Sequence, residues 1–135
     1  MAVAGYSGTP LVNKLGIRPG HRLALLSAPS GFAEELDLPD GVTVITRLSG
    51  HCDVVLFFTK GRNELDRRVE RIGQVIAPAG AAWIAWPKRA AKVATDMTED
   101  VVREVALPRG LVDVKVCAID ETWSGLKLVW RKERR

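Results

Sequence analysis

The chain has 135 residues, 47% of them hydrophobic and 27% charged, with a formal net charge of +4 at pH 7. This length suits one domain with a single hydrophobic core, and no apolar run reaches the roughly 18 residues that a membrane span needs. The mild charge comes without a nucleic-acid-binding motif and the first residues lack a signal-peptide pattern, so we expect a soluble, cytoplasmic protein without a nucleic-acid or membrane partner.

The first 20 residues predict an N-terminal arm and a short helix. Thr9 is a suitable N-cap, Pro10 suits the first helical position, and Gly16 is a suitable end. The pattern then predicts three elements in order. They are a strand at 22–26, a helix of at most two turns at 32–36 and a strand at 42–46.

A strand–helix–strand unit at residues 53–88 organises the chain. Residues 53–58 form an apolar run typical of a buried parallel strand. Residues 63–76 have helical spacing with one apolar face, and Asn63 is a suitable N-cap. Residues 81–86 form a second apolar run. The residues of the apolar helix face are Leu65, Val69, Ile72 and Ile76.

The last part of the chain predicts a helix and an antiparallel hairpin. Asp96 and Glu99 have the spacing of a capping box ahead of an apolar helical face. Two β-rich runs follow at 112–119 and 126–130, and the link between them is too short for a parallel crossover. Residues 131–135 form a basic tail.

Together these elements predict a single α/β domain over residues 1–135. We expect a Rossmann-like three-layer sandwich, with a mostly parallel sheet and an antiparallel C-terminal hairpin strand. Such sheets bind ligands beyond the carboxyl ends of their parallel strands. The candidate ligand-binding residues at this edge are Arg47, Lys60, Lys88, Arg89, Asp120, Trp123 and Ser124.

The basic residues of this set could hold a phosphate or carboxylate, because arginine offers a planar donor fork and lysine a point charge. Lys88 is the strongest candidate of the set because it follows the most buried strand. The alternative is that each of these cations lies in a loop and is solvated. Trp123 either stacks on a ligand or folds back over the core. Asp120 is expected to cap its own turn. Trp83 and Trp86 are expected in the core rather than at an oligomer interface.

The cysteines and histidines predict neither a metal site nor a catalytic residue. Cys52 and Cys117 are far apart and should be free thiols, with a disulfide or metal site as the alternative. His51 beside Cys52 gives two ligands, too few for structural zinc. His21 and His51 fall at the opposite edge of the sheet from Ser124, which argues against a Ser–His–Asp arrangement.

Short motifs spread over nearly the whole chain carry a family resemblance. They are Gly-Tyr-Ser-Gly-Thr-Pro-Leu at 5–11, Lys-Leu-Gly and Pro-Gly within 14–20, Trp with Trp-Pro-Lys at 83–88, and Asp-Glu-Thr-Trp-Ser-Gly-Leu at 120–126. With these motifs the chain resembles the uncharacterised bacterial family known as DUF3052. That family has no assigned activity, so the resemblance implies an expectation about the fold and none about a reaction.

The junction at 77–83, Ala-Pro-Ala-Gly-Ala-Ala-Trp, is similar to one in class I S-adenosylmethionine-dependent methyltransferases. The fold would then resemble a truncated class I methyltransferase. That resemblance implies a glycine-rich loop after the first strand and an acidic residue after the second. Residues 27–31 instead read Ser-Ala-Pro-Ser-Gly, and Arg47 stands in the acidic position. We therefore expect no cofactor, with S-adenosylmethionine disfavoured.

Two functional hypotheses follow. The first is a non-catalytic methyltransferase-like module that binds a small anionic ligand or a protein partner at the carboxyl edge of its sheet. The second is a divergent small enzyme, such as an S-adenosylmethionine-dependent methyltransferase. An open cavity beside residues 27–31 that reaches Arg47 and Lys88 would favour the enzyme. Space filled by an aromatic side chain would favour the module, and the candidates are Phe32, Trp83 and Trp123.

Overall fold

The computed structural model describes residues 10–135, which contain four α-helices and six strands. The helices are α1 (Leu11–Leu15), α2 (Phe32–Glu35), α3 (Arg62–Ile76) and α4 (Glu99–Ala106). The strands are β1 (Arg22–Leu26), β2 (Thr43–Ile45), β3 (Val54–Phe58), β4 (Ala81–Pro87), β5 (Leu111–Ala118) and β6 (Trp123–Trp130). Among these residues no helix has the length and hydropathy of a membrane span.

The strands form one sheet in the order β2-β1-β3-β4-β6-β5. The pairs from β2 to β4 are parallel, while β6 runs antiparallel to both β4 and β5. This confirms the predicted Rossmann-like sheet with an antiparallel C-terminal hairpin. The chain order reverses between β1 and β3, and such a switch point is where open α/β sheets bind ligands.

The sheet separates two hydrophobic cores, as a three-layer sandwich requires. Along β3, Val55 and Phe57 pack with α3 and α4, whereas the alternate residues Leu56 and Phe58 pack with α1 and α2. All residues of β3 and β4 are buried. Because both faces of these central strands are covered, their sequences are continuous apolar runs.

The caps of α3 and α4 differ from the prediction. The helix α3 begins at Arg62, and its backbone N–H is capped by the carboxylate of Asp96 at 2.8 Å rather than by Asn63. Asp96 is therefore not the cap of α4. That helix is capped by Thr98, whose hydroxyl accepts from the Val101 N–H at 3.1 Å.

The N-terminal helix α1 is fixed to the sheet by a buried hydrogen bond. The indole of Trp83, fully buried, donates to the Leu15 carbonyl at 3.0 Å. Trp86 is also buried, so the core role predicted for both tryptophans is confirmed. Gly16 ends α1 with a φ of +77°, as expected. Pro10 is the N-cap rather than the first helical residue, and Thr9 lies outside the described residues.

The indole of Trp130 joins the end of β6 to the middle of α3. Its N–H donates to the Gly73 carbonyl at 2.8 Å, and a Cβ at Gly73 would lie 3.0 Å from the ring. The guanidinium of Arg134 lies 5.3 Å from the centre of the Trp130 ring. The basic tail at 131–135 thus turns back through a short 3₁₀ turn, Lys132–Arg134, instead of extending from the domain.

The junction between α3 and β4 is the tightest backbone contact that a glycine makes. The Gly80 N–H donates to the Ile76 carbonyl at 2.7 Å. A Cβ at this position would lie 2.7 Å from the carbonyl oxygen of Cys52, 2.8 Å from that of Ile76 and 3.0 Å from that of Asp53. Backbone atoms cannot move aside as a flexible side chain can, so the space allows only glycine.

We predict that Trp83→Phe destabilises the fold by about 1–3 kcal/mol more than Trp86→Phe does. Both changes remove similar volume from β4, but only the first leaves the buried Leu15 carbonyl without its donor. Urea unfolding followed by circular dichroism measures the difference. Equal losses of stability in the two variants would show that the hydrogen bond contributes nothing beyond packing.

Candidate functional site

The carboxyl rim is the edge of the sheet where β1, β3 and β4 end and β6 begins. Ser27 follows β1 and Thr59 follows β3. Pro87 at the end of β4 pairs with Trp123 at the start of β6, and the next N–H, that of Lys88, donates to the Thr122 carbonyl at 2.7 Å. The structure therefore brings Lys88 to the hairpin that carries Trp123, as the rim prediction required.

The tip of this hairpin is ordered by Asp120. One carboxylate oxygen accepts from the backbone N–H groups of Thr122 and Trp123, both at 2.8 Å. The prediction that Asp120 caps its own turn is confirmed, and this carboxylate therefore has a structural role. Ser124 is half-buried and lies within β6 opposite Trp86, because the strand begins at Trp123 rather than at residue 126.

An aromatic row crosses the rim on the side of α1 and α2. Phe32 meets Phe58 edge to face with ring centres 5.0 Å apart, and Phe58 meets Trp123 in the same way at 5.1 Å. Phe32 and Phe58 are buried and Trp123 is half-buried. Trp123 therefore folds back over the core, one of the two roles expected for it. Phe58, which links the other two rings, was not among the expected candidates.

The loop after β1 has an unusual backbone. Ser27 has a φ of +57° and Gly31 a φ of +82°, and the Phe32 N–H donates to the Pro29 carbonyl at 3.0 Å. A left-handed serine is uncommon, and such strained residues concentrate at functional sites. A Cβ at Gly31 would meet no atom within 4 Å. This position therefore favours glycine because of its positive φ and not because another group lies close to it.

On the α3 side of the rim, polar contacts connect the end of β3 with α3 and with the segment after β4. The Thr59 hydroxyl, 2% exposed, donates to the Glu64 carboxylate at 2.6 Å and accepts from the Gly61 N–H at 3.2 Å. The Lys60 carbonyl accepts from the Thr95 hydroxyl at 2.6 Å. The segment after β4 thus returns to the end of β3. In the sequence, the Thr-Lys-Gly spacing at 59–61 is the one signal that indicates a turn here, and nothing in it indicates the contact with Thr95.

The basic side chains that follow the strands at this edge are called the rim cations. Within residues 10–135 none of them forms a salt bridge, and only Lys88 is half-buried while the others are exposed. They are Arg47, Lys60, Lys88 and Arg89. Three arginines on the α3 and α4 side do form salt bridges: Arg103 with Glu99, Asp100 and Asp113, Arg62 with Glu104, and Arg109 with Asp66.

The opposite, amino edge of the sheet holds the histidines and Cys52, as predicted. Asp53 accepts from the Arg22 N–H at 2.8 Å, and its other oxygen lies 3.6 Å from His51. Burial raises the pKa of the Cys52 thiol, although the nearby Arg22 lowers it in part. Cys117 is also a free thiol. In the described chain no three His, Cys, Asp or Glu side chains gather as metal ligands would.

Several solved structures similar to this chain are methyltransferases. One from Aquifex aeolicus, S-adenosylmethionine-dependent, has a TM-score of 0.61 and 13% identity over 87% of this chain and 86% of its own. The Methanococcus jannaschii fibrillarin pre-rRNA processing protein has a TM-score of 0.62 and 13% identity over 84% and 68%. Magnesium protoporphyrin IX methyltransferase from Synechocystis PCC 6803 has a TM-score of 0.56 and 11% identity over 90% and 74%. No protein-family model and no curated protein matches the chain.

The expectation that the chain takes no cofactor is contradicted by these structures. The Synechocystis enzyme was solved with S-adenosylmethionine and also with S-adenosylhomocysteine, and an O-methyltransferase of neocarzinostatin biosynthesis with S-adenosylmethionine. The expectation rested on the missing glycine-rich loop after β1. It was wrong to use that loop as a criterion, because Ser27 and Gly31 both take positive φ and turn the chain sharply with a single glycine.

The described residues nevertheless differ from the cofactor site that the resemblance to methyltransferases implies. Arg47 is exposed after β2, where a carboxylate would bind the ribose hydroxyls. The aromatic row occupies one side of the rim, and the Thr59–Glu64 hydrogen bond lies on the other. At identities this low the comparisons establish the fold of the chain, and its chemistry has to be argued from its own residues.

We predict that Cys52 is unreactive in the folded protein and that Cys117 reacts slowly. Cys52 is fully buried and Cys117 half-buried, and burial raises the pKa of both thiols, so both are protonated at neutral pH. Labelling with iodoacetamide at pH 7.5, read by peptide mass spectrometry, measures this. Both should react readily in urea, whereas rapid native labelling of Cys52 would contradict its burial.

Proposed function

We propose that this chain is a binding protein built on a methyltransferase fold, with a small anionic ligand held at its carboxyl rim. The observation that carries the proposal is that Arg47, Lys60, Lys88 and Arg89 follow three strands at one edge of the sheet, and that none of them forms a salt bridge among the described residues. Unpaired cations that follow the strands at the ligand-binding edge of an α/β sheet suit phosphate or carboxylate. We also propose, from its motifs alone, that the chain belongs to the DUF3052 family.

Lys88 is the main anion-binding residue in this proposal. Its backbone is fixed by the hydrogen bond to Thr122, and its side chain is half-buried at the end of the most buried strand. Partial burial lowers the local dielectric, so its charge acts more strongly on a ligand than a fully solvated charge does. The exposed Arg47 adds a planar fork that can bind two oxygens of one anion.

A second candidate function is S-adenosylmethionine-dependent methyl transfer. It is favoured by the similar structures that contain S-adenosylmethionine or S-adenosylhomocysteine. Both molecules carry a carboxylate that the rim cations attract. Only S-adenosylmethionine also carries a positive sulfonium, which Arg47 and Lys88 repel. This second candidate therefore requires the ligand to place its sulfonium away from the rim cations.

We predict that Lys88→Ala weakens binding of pyrophosphate or citrate about tenfold without changing the fold. Losing one charge-assisted hydrogen bond costs about 1.5–3 kcal/mol, less where solvent screens it. Isothermal titration calorimetry measures affinity, and thermal unfolding without ligand checks the fold. Arg67→Ala, on the outer face of α3, is the matched control and should bind as the wild type does. Equal affinity in wild type and Lys88→Ala would rule out this site.

We predict that S-adenosylhomocysteine binds more tightly than S-adenosylmethionine, by about tenfold, if either binds at the rim. The two ligands share every anionic group and differ in the sulfonium charge, so the difference isolates repulsion by the rim cations. Calorimetry with wild type and Arg47→Ala measures it, and the variant should narrow the gap. Tighter binding of S-adenosylmethionine, with methyl transfer to an acceptor, would replace the first candidate function by the second.

A further inference from the structure

The outer edge of the sheet exposes an apolar and basic strip. The β5 edge, residues 114–116, reads Val-Lys-Val, and Val114 is 52% exposed and Val116 48% exposed. Among the described strands β5 pairs only with β6, so its outer backbone groups have no partner strand. Unpaired edge strands with exposed apolar side chains are templates for another strand.

The two faces of this edge differ in chemistry. The register shifts between Asp113 and Lys115, which leaves Val114 as a bulge, and Lys115 then lies directly opposite Lys127 of β6. Val116 points to the other face, opposite Leu126. Like charges directly opposite each other destabilise an antiparallel pair, so the Lys115–Lys127 pair needs an explanation outside the hairpin.

No described carboxylate neutralises this lysine pair. Asp113, the acidic residue of β5, is bound to the guanidinium of Arg103 at 3.0 Å. Burial lowers the pKa of Lys127, and the nearby charges of Lys115 and Arg18 lower it further. The local charge is therefore positive on one face of the β5 edge, while the other face is apolar at Val116.

Neither terminal segment of the sequence has the negative charge that would suit this edge. Residues 1–9 contain no acidic residue, and residues 131–135 are mainly basic. A second copy that paired β5 with β5 would bring another Lys115 to the edge, and its Asp113 would already be bound to Arg103. A strand with carboxylates that complement this edge would therefore belong to a molecule with a different sequence.

We propose that the β5 edge binds an extended acidic segment of a partner protein, which adds to the sheet as a further strand. Alternation along a strand would place its carboxylates beside Lys115, whose positive charge adds to that of Lys127, and its apolar side chains beside Val116. Backbone hydrogen bonds supply affinity, and the lysine pair selects acidic partners. The bulge at Val114 and the charge of Lys115 disfavour pairing with neutral strands. The edge is therefore selective for acidic strands and does not bind any exposed strand.

The test uses a labelled eight-residue peptide of alternating valine and glutamate and its valine–lysine counterpart, with binding read by fluorescence anisotropy. Wild type should bind the acidic peptide at least tenfold more tightly than the basic one, and added salt should weaken binding. Lys115→Glu should weaken the acidic peptide at least tenfold. The double variant Lys115→Glu with Lys127→Glu should instead prefer the basic peptide.

Two control variants separate this edge from other sites. Val44→Lys changes the exposed valine on β2, at the opposite edge, and Lys88→Ala changes the carboxyl rim. Both should bind the acidic peptide as wild type does, and peptide binding should slow hydrogen exchange in β5. The proposal is overturned if neither peptide binds, if both bind equally, or if Lys88→Ala abolishes binding. It is also overturned if light scattering shows a dimer that Lys115→Glu dissociates.

Discussion

Complete burial of the β3–β4 pair constrains the rest of the structure. Helices cover both faces of these strands, and β1 and β6 cover their edges. Polar side chains are therefore excluded from the centre and gather at the strand ends. Thr59 is the buried polar residue that follows β3, and Lys88 is the first cation after β4. The position of the carboxyl rim is thus a consequence of core packing.

Sequence patterns predicted most of the helices and strands because each of these elements is specified by residues that are close together in the chain. The apolar run at 53–58 and the helical spacing at 63–76 needed no knowledge of distant residues. The caps failed for the opposite reason: α3 is capped by Asp96, which lies 34 residues beyond Arg62 in the chain. The predicted cap Asn63 is close in sequence, but its helix begins one residue earlier.

The candidate site was only partly predictable for a similar reason. Sequence order places strand ends at one edge, so Lys88 and Trp123 could be assigned to the same rim. The aromatic row joins Phe32, Phe58 and Trp123 from three separate parts of the chain, and no spacing rule links them. Whether cations are paired also depends on distant carboxylates. The contrast between Lys88 and Arg103 became visible only in three dimensions.

The three carbonyl oxygens around Gly80 also bear on how such chains diverge. A residue enclosed by backbone on three sides tolerates no substitution, whatever the ligand or reaction. Gly80 belongs to the Ala-Pro-Ala-Gly junction, so in this chain the glycine of that junction has a steric origin and says nothing about catalysis. A replacement at position 80 would therefore disturb the fold first, and any loss of binding would follow from that disturbance.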